Sequence, residues 1–293
     1  NTTASNNIAV GRSALLANTT GTQNIAVGTN AADALTTGSD NVAFGYAALS
    51  TDDVGNKSVA IGTAALGAQN TASAGDIYNT AVGYDAGGAV TTGTNNTLLG
   101  SVSGAHNYNL TTGSYNTLVG ALTDTAAADT DNANTLGYNT FAVEGYTTVG
   151  LYTDDIAAAH GNVTWATVSD ERVKKDIEDA TAGLAFINDL RPRTFNYKNK
   201  GDLPPEFLGY EEGSTEAYKN PKEQHGFIAQ EVKEVIDNHS DIKDGFSMWD
   251  TRENDQQRVG ETAVIPILVK AIQELSAKVE ALESQPKCKC KGE

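Results

Sequence analysis

The chain has 293 residues, of which 39% are hydrophobic and only 7% aromatic, and its formal net charge is −17. This length predicts about two domains, and the strong acidity excludes a basic surface for the phosphate backbone, so we expect no nucleic-acid partner. No apolar stretch approaches the roughly 20 residues that cross a bilayer, so no membrane span is expected. The polar start without Met leads us to expect the C-terminal piece of a longer protein.

Residues 1–160 contain an internal repeat of about 17 residues. Each unit ends in an apolar residue followed by glycine, and successive glycines are 17, 17, 17, 21, 17, 20, 17 and 13 residues apart. A period this regular predicts stacked coils. We expect one short strand per coil, with the residue before each glycine pointing inward and the glycine forming the corner. The nine glycines are Gly11, Gly28, Gly45, Gly62, Gly83, Gly100, Gly120, Gly137 and Gly150.

The unit Ser58-Val59-Ala60-Ile61-Gly62 resembles the repeats in the heads of trimeric autotransporter adhesins. The resemblance implies a mainly β, repetitive parallel β-roll or β-helix built by three chains. A single coil buries too little apolar surface to be stable alone, so it must pack on the coils above and below it. Two alternatives remain open, an ice-binding array of threonines and a cation held by Asp52-Asp53 or Asp154-Asp155. For these acids, solvated loop charge is the preferred interpretation.

The composition changes after Gly161, and residues 161–286 are predicted to form a second, α+β domain. Its His225 is isolated in sequence from other histidines, which favours a structural role over metal binding. The expected elements are a strand at Trp165–Val168, a helix capped by Asp179 or Thr181, a strand at Thr194–Tyr197, a long polar loop over 198–224, and a strand leading into a helix over His225–Val232.

The last predicted element is a long helix with apolar residues at alternating spacings of three and four, which is typical of a coiled coil. These residues are Ile265, Leu268, Ile272, Leu275, Val279 and Leu282. Both cysteines, Cys288 and Cys290, lie in a Lys/Cys tail at residues 287–293, so no disulfide can staple the body of the protein. The tail is predicted to be a dangling end, and no metal or cofactor is expected.

The segment Ser169–Ile177 places a serine five residues before Lys174. A serine hydroxyl needs a base to become a nucleophile, and lysine can serve where burial or neighbouring positive charge favours its neutral form. Arg172 and Lys175 would supply such charge. Taken alone, a serine followed by these charged residues is also typical of a helix cap with exposed charged side chains after it.

Three segments and the terminal helix together resemble the intramolecular chaperone family of endosialidases and other phage tail proteins. The segments are, in this order, residues 169–177, 193–197 and 226–232. The resemblance implies a C-terminal domain that assists assembly of a trimeric fibre and then releases itself. It implies Ser169 as nucleophile, Lys174 as base and Val168–Ser169 as the scissile bond. The residues that carry the motif around this dyad are Asp170, Arg172, Asp176, Gly226, Gln230 and Glu231.

The sequence therefore leads to the hypothesis of a phage tail fibre or tailspike that attaches to a host and acts as an autoproteolytic serine peptidase on itself. We expect a homotrimer located in the virion tail after assembly in the host cytoplasm, with a host-surface glycan or protein as receptor. The alternatives are a bacterial trimeric surface adhesin and a structural fibre with an uncleaved chaperone cap. A membrane-tethered regulator would need a basic DNA-binding region and an apolar span, and neither occurs in this sequence.

Overall fold

A computed structural model describes residues 3–162, 164–242, 246–251 and 255–284. The chain divides into two compact units, Asn1–Val173 and Lys174–Glu293. The tail predicted at residues 287–293, with its two cysteines, lies outside the described residues. Each unit is described by itself below.

The first unit is a parallel β-solenoid, as the repeat predicts. Ten strands form its main sheet in chain order, and all neighbouring strands pair parallel except β13 and β14, which are antiparallel. Short parallel pairs, β4 with β6 and β10 with β12, lie outside this sheet. The strands are β1 (Ile8–Val10), β2 (Ile25–Val27), β3 (Val42–Phe44), β4 (Gly55–Asn56), β5 (Val59–Ile61), β6 (Gly75–Asp76), β7 (Thr80–Val82), β8 (Thr97–Leu99), β9 (Thr117–Val119), β10 (Asp124–Thr125), β11 (Asn134–Tyr138), β12 (Phe141–Ala142), β13 (Tyr146–Leu151) and β14 (Asp154–Ala159).

The prediction that the residue before each glycine points inward is wrong. The middle residue of the strand is the buried one, as in Ala26, Ala43 and Leu98. The residue before the glycine lies on the outer face, where Val10 and Phe44 are exposed. Successive side chains of a strand alternate between faces, so only one of the two can point inward. Alanines fill the interior together with buried leucines such as Leu35, Leu66 and Leu98.

A stack of buried asparagines holds neighbouring coils together. Asn96 is fully buried, its Nδ2 donates to the Gly113 carbonyl at 3.0 Å, and its Oδ1 accepts from the Asn116 backbone N–H at 3.0 Å. The same pattern recurs at Asn24 and Asn41. Because buried amides are costly when unpaired, each coil depends on the next to satisfy its asparagine.

Ser58 takes the asparagine position in the fourth coil, where a different polar cluster replaces the amide. Gln69 Nε2 donates to Ser58 Oγ at 3.0 Å and to Asp52 Oδ2 at 2.6 Å, while its Oε1 accepts from Asn79 Nδ2 at 3.0 Å. Asp52 is fully buried and also accepts from the Gly55 N–H at 3.0 Å. The interpretation of Asp52 as solvated loop charge is therefore wrong. Its carboxylate belongs to the hydrogen-bonded interior.

Each corner glycine must itself lack a side chain, because the backbone of the next coil packs against it. Gly62 has a φ of 132°, and a Cβ added to it would lie 2.1 Å from the Gly83 carbonyl oxygen. We expect Gly62→Ala to lower the free energy of unfolding of the solenoid by roughly 3 to 6 kcal/mol, because it combines backbone strain with a backbone clash. Denaturant titration followed by circular dichroism measures this change.

Gly75→Ala is the matched control, since a Cβ at Gly75 meets nothing within 4 Å. We expect it to change the free energy of unfolding by less than about 1 kcal/mol. Equal losses for the two variants would contradict the role assigned to the corner glycine.

The second unit is α+β, as predicted. Its core includes Phe186, Val232, Met248 and Ile267. The elements are α1 (Leu184–Asp189), β15 (Arg193–Phe195), β16 (Gln224–Gly226), α2 (Ala229–Asn238), β17 (Trp249–Thr251), β18 (Gln257–Val259) and α3 (Ile265–Glu283). Strand β15 pairs antiparallel with β16, and β17 pairs antiparallel with β18.

Two local predictions are wrong. The segment Trp165–Val168 is not a strand, because its side chains are exposed and Ala166 alone forms a bridge, with Ala157. Helix α1 begins after Gly183, so neither Asp179 nor Thr181 is its N-cap. The N-cap residue is Gly183, and no side-chain hydrogen bond caps the helix there. Instead, Glu274 of α3 accepts a hydrogen bond from the Leu184 N–H at 3.1 Å. A tertiary contact therefore replaces the expected local cap.

Helix α3 has two distinct apolar faces. Ile267 and Ala271 are buried in the second unit, whereas the six residues of the predicted coiled-coil seam are 37 to 66% exposed. Pro266 lies in the first turn, where its missing N–H is tolerated. In the described part of the chain, no helix has both the length and the apolar character to cross a bilayer.

Candidate functional site

The predicted cleavage segment lies on the surface. All residues from 164 to 181 are exposed, including Val168, Ser169 and Lys174. A 3-10 helix at Glu171–Val173 follows the serine. The division between the two units falls between Ser169 and Lys174, and the pairing of their side chains stays a prediction.

Asp170 and Arg172 form a tight local pair. Arg172 Nε donates to Asp170 Oδ1 at 2.9 Å, and Nη2 donates to Oδ2 at 2.6 Å. These hydrogen bonds lower the pKa of Asp170 and raise the pKa of Arg172. Asp170 Oδ1 also accepts from the Arg172 backbone N–H, which starts the 3-10 helix. The motif thus shapes the turn between Ser169 and Lys174, and the charge of Arg172 is engaged by Asp170 instead of lying open beside Lys174.

Asp176, another motif residue, occupies a left-handed backbone conformation with a φ of 53°. Aspartate tolerates this region better than most residues because its short side chain can hydrogen-bond locally. Asp176 is exposed and follows the predicted base by two residues. The chain therefore turns again directly after Lys174.

The remaining motif residues lie at the junction of β16 and α2. Glu231, in the first turn of α2, accepts from Arg193 Nε at 2.9 Å and from Arg193 Nη2 at 2.5 Å, and Arg191 Nη1 lies 3.7 Å away. The bidentate geometry ties the helix to the start of β15. Gln230 beside it is exposed. A Cβ added to Gly226 would lie 2.9 Å from Glu261 Oε1, so the glycine leaves room for that carboxylate.

Sequence reasoning missed Arg193 and Glu261 as partners of the motif. Arg193 lies within the resembling segment 193–197, and its partner Glu231 is 38 residues away in sequence. Nothing in local spacing connects the two residues. Glu261 lies in a 3-10 helix just before α3, which brings the last part of the chain next to Gly226.

The Arg193–Glu231 pair predicts a pH dependence. The hydrogen bonds with Arg193 hold the pKa of Glu231 below its usual value, so the stability that the pair contributes is present near neutral pH and is lost as pH falls through that lowered pKa. We expect Glu231→Gln to melt at a lower temperature than the wild type at pH 7, and the difference to shrink steadily below about pH 4. Thermal melting across pH measures it.

Glu234→Gln on the same helix is the control, because Glu234 is exposed. We expect its melting temperature to follow that of the wild type at every pH. A Glu231→Gln difference that is constant from pH 7 to pH 3 would contradict the ion pair as its cause.

Comparison with protein families gives one match. Residues 169–241 match the sequence model of the family described as chaperone of endosialidase. Comparisons with curated proteins and with solved structures give no match. The match begins at Ser169 and contains Lys174 and all six motif residues. It supports an intramolecular chaperone domain in the part of the chain that begins at Ser169.

In the described parts of the chain, no group of three or more His, Cys, Asp and Glu side chains is placed to hold a metal ion. Cys288 and Cys290 lie outside those parts.

Proposed function

We propose that this chain is the C-terminal part of a phage tail fibre or tailspike whose chaperone domain assembles three copies and then cuts itself free between Val168 and Ser169. The observation that carries this proposal is the position of the family match, whose first residue is Ser169, ten residues after the last strand of the solenoid ends at Ala159. A chaperone segment that begins at the proposed new N-terminus is what self-release requires.

The proposed chemistry uses the side chains of Ser169 and Lys174. Neutral Lys174 takes the hydroxyl proton, and Ser169 Oγ attacks the carbonyl carbon of Val168. The Val168–Ser169 amide nitrogen leaves as the amine of Ser169 and gains a proton, so an ester joins Val168 to Oγ. Water then hydrolyses the ester, leaving a carboxylate on Val168 and restoring the hydroxyl. No cofactor takes part.

Assembly is proposed as the trigger for cleavage. Burial favours the uncharged form of a lysine, which is the form that can accept a proton. Lys174 and Ser169 are both exposed in the single chain. Under this proposal, the packing of three chains covers the segment, so that cutting occurs after assembly.

The homotrimer itself is supported by the exposed seam of α3. Six apolar residues at coiled-coil spacing face solvent in the single chain. Burying such a seam against identical helices is the usual way to stabilise it. The solenoid would then serve as the shaft or head that contacts a host-surface glycan or protein, in the virion tail. The family match favours this function over a bacterial surface adhesin.

Denaturing electrophoresis of the purified chain tests the proposal. We expect two pieces, residues 1–168 and 169–293, and an N-terminal sequence on the smaller piece that begins at Ser169. A single full-length band after assembly would leave the chaperone as an uncleaved cap and refute self-release.

A further inference from the structure

The outer face of the solenoid carries an unbroken line of apolar side chains. They are the residues that precede the corner glycines, joined by one residue of β14, and we refer to them as the outer column. Its members are Val10, Val27, Phe44, Ile61, Val82, Leu99, Val119, Leu136, Val149 and Ile156. Parallel pairing sets each of the first nine beside the next, and Val149 pairs with Ile156 across the antiparallel step. The line therefore runs across all ten strands.

The outer column is apolar in every coil, whereas a second outward position of the same coils is not. This second position directly follows the glycine, and it holds charged, polar, aromatic or aliphatic residues. Those residues are Arg12, Thr29, Tyr46, Thr63, Tyr84, Ser101, Ala121, Tyr138 and Leu151. Both positions contain exposed side chains in the single chain, yet only the outer column is apolar in every coil. A position that contacts only water does not need an apolar residue in every coil.

The two longer coils preserve the outer column. The coils that end at Gly83 and Gly120 contain 21 and 20 residues instead of 17. Their extra residues lie outside the main sheet, since Ile61 still pairs with Val82 and Leu99 with Val119. Length varies in the loops, whereas the register of the outer column does not.

The outer column lies in the middle of an outer face that is too small to form a stable interface alone. Ten strands about 4.8 Å apart, each at least three residues long, give this face an area of about 43 by 10 Å, or roughly 430 Å². Apolar patches of this size on a monomer are commonly functional. A stable interface buries about 800 Å² per partner, so the face supplies roughly half of that area.

We propose that the outer column packs against the outer columns of two further copies of this chain. A contact that repeats once per coil needs a partner with the same spacing, and a second copy has that spacing along the whole column. In the seven three-residue strands of the main sheet, the outward residues are all Ile, Val, Leu, Phe or Thr, so the face offers nothing to a charged partner. Identical copies, each with a net charge of −17, meet there without opposing like charges.

This inference rests on the proposed trimer and adds the surface through which its shaft is held. Because the face that contains the outer column has only about half the area of a standard interface, the solenoids need another contact to stay together while they associate. The seam of α3 is the proposed second contact. The small column therefore explains why a shaft of this kind would require a chaperone.

Thiol labelling of the full chain tests the inference. In a background with Cys288→Ser and Cys290→Ser, single cysteines replace Phe44, which belongs to the outer column, and Tyr46, which follows the glycine of the same coil. The two side chains are 54 and 57% exposed in the single chain, so a lone chain should react equally at both. In the assembled protein we expect a maleimide to modify Phe44→Cys at least about tenfold more slowly than Tyr46→Cys.

Native mass spectrometry of the same samples tests this inference separately from the proposed homotrimer on which it rests. Equal labelling rates in a trimer would overturn the outer-column inference and leave the trimer standing. A monomer would overturn both, whatever its labelling. Slow labelling of Phe44→Cys in a monomer would mean that something other than a second copy covers the face. Val82→Cys repeats the test with a smaller change, and circular dichroism checks that each variant keeps its fold.

Discussion

Ser169→Ala should leave the chain at its full length, whereas the wild type yields residues 1–168 and 169–293. Without the hydroxyl there is nothing to attack the Val168 carbonyl, and we expect the rate of cleavage to fall by at least about 1,000-fold. Lys174→Ala should have an effect of similar size, because the hydroxyl then keeps its proton. Denaturing electrophoresis over a time course after refolding measures all three chains.

The double variant makes this test sharper. Residues that act as one catalytic unit have non-additive effects, so Ser169→Ala combined with Lys174→Ala should be no slower than either single change. Lys222→Ala is the control, since Lys222 is an exposed lysine far from Ser169 in sequence, and we expect it to cut normally. Normal cutting by Lys174→Ala would mean that another residue is the base.

Charging the seam of α3 should abolish both assembly and cleavage. Ile272→Glu with Leu275→Glu would bring six carboxylates together in an apolar interface of three helices. Burying unpaired charge costs several kcal/mol, so we expect the association constant to fall more than about 100-fold. The variant should be a monomer at micromolar concentration by native mass spectrometry and should remain uncut, because the proposed trigger is assembly.

The control adds the same charge to the same helix on another face. Gln273→Glu with Ala277→Glu changes exposed positions outside the seam and outside the buried face formed by Ile267 and Ala271. We expect this variant to assemble and to cut like the wild type. A trimer formed by the seam variant would place the interface elsewhere. A seam variant that cuts as a monomer would show that assembly is not the trigger.

Much of the fold could be predicted from the sequence because it is periodic. The recurring glycines predict both the number and the spacing of the parallel strands. The direction of the side chains could not be obtained in this way, since a three-residue strand gives no run long enough to show which parity is buried. Ala26 and Val27 are both apolar, and only the narrow coil interior decides between them.

The polar interior was harder to predict. Asn96 and Asp52 resemble ordinary turn residues in sequence, and their burial depends on partners a whole coil away. For the candidate site, the resemblance identified Ser169 and Lys174, and the family match includes both residues. Their geometry could not be predicted from the sequence, because the side chains of residues 164–181 are exposed and are not placed by a buried core.

The stack of buried asparagines has a consequence for how such proteins can change in length. Since the coils of Asn24 and Asn41 present the same amide to the coil on either side, whole coils of this kind are interchangeable building blocks. Deleting residues 29–45 would place Gly28 seventeen positions before Gly62 and preserve both the amide stack and the outer column. Deleting half as many residues would disrupt both. Shaft length can therefore evolve in steps of one coil, about 4.8 Å each, without redesign of either end.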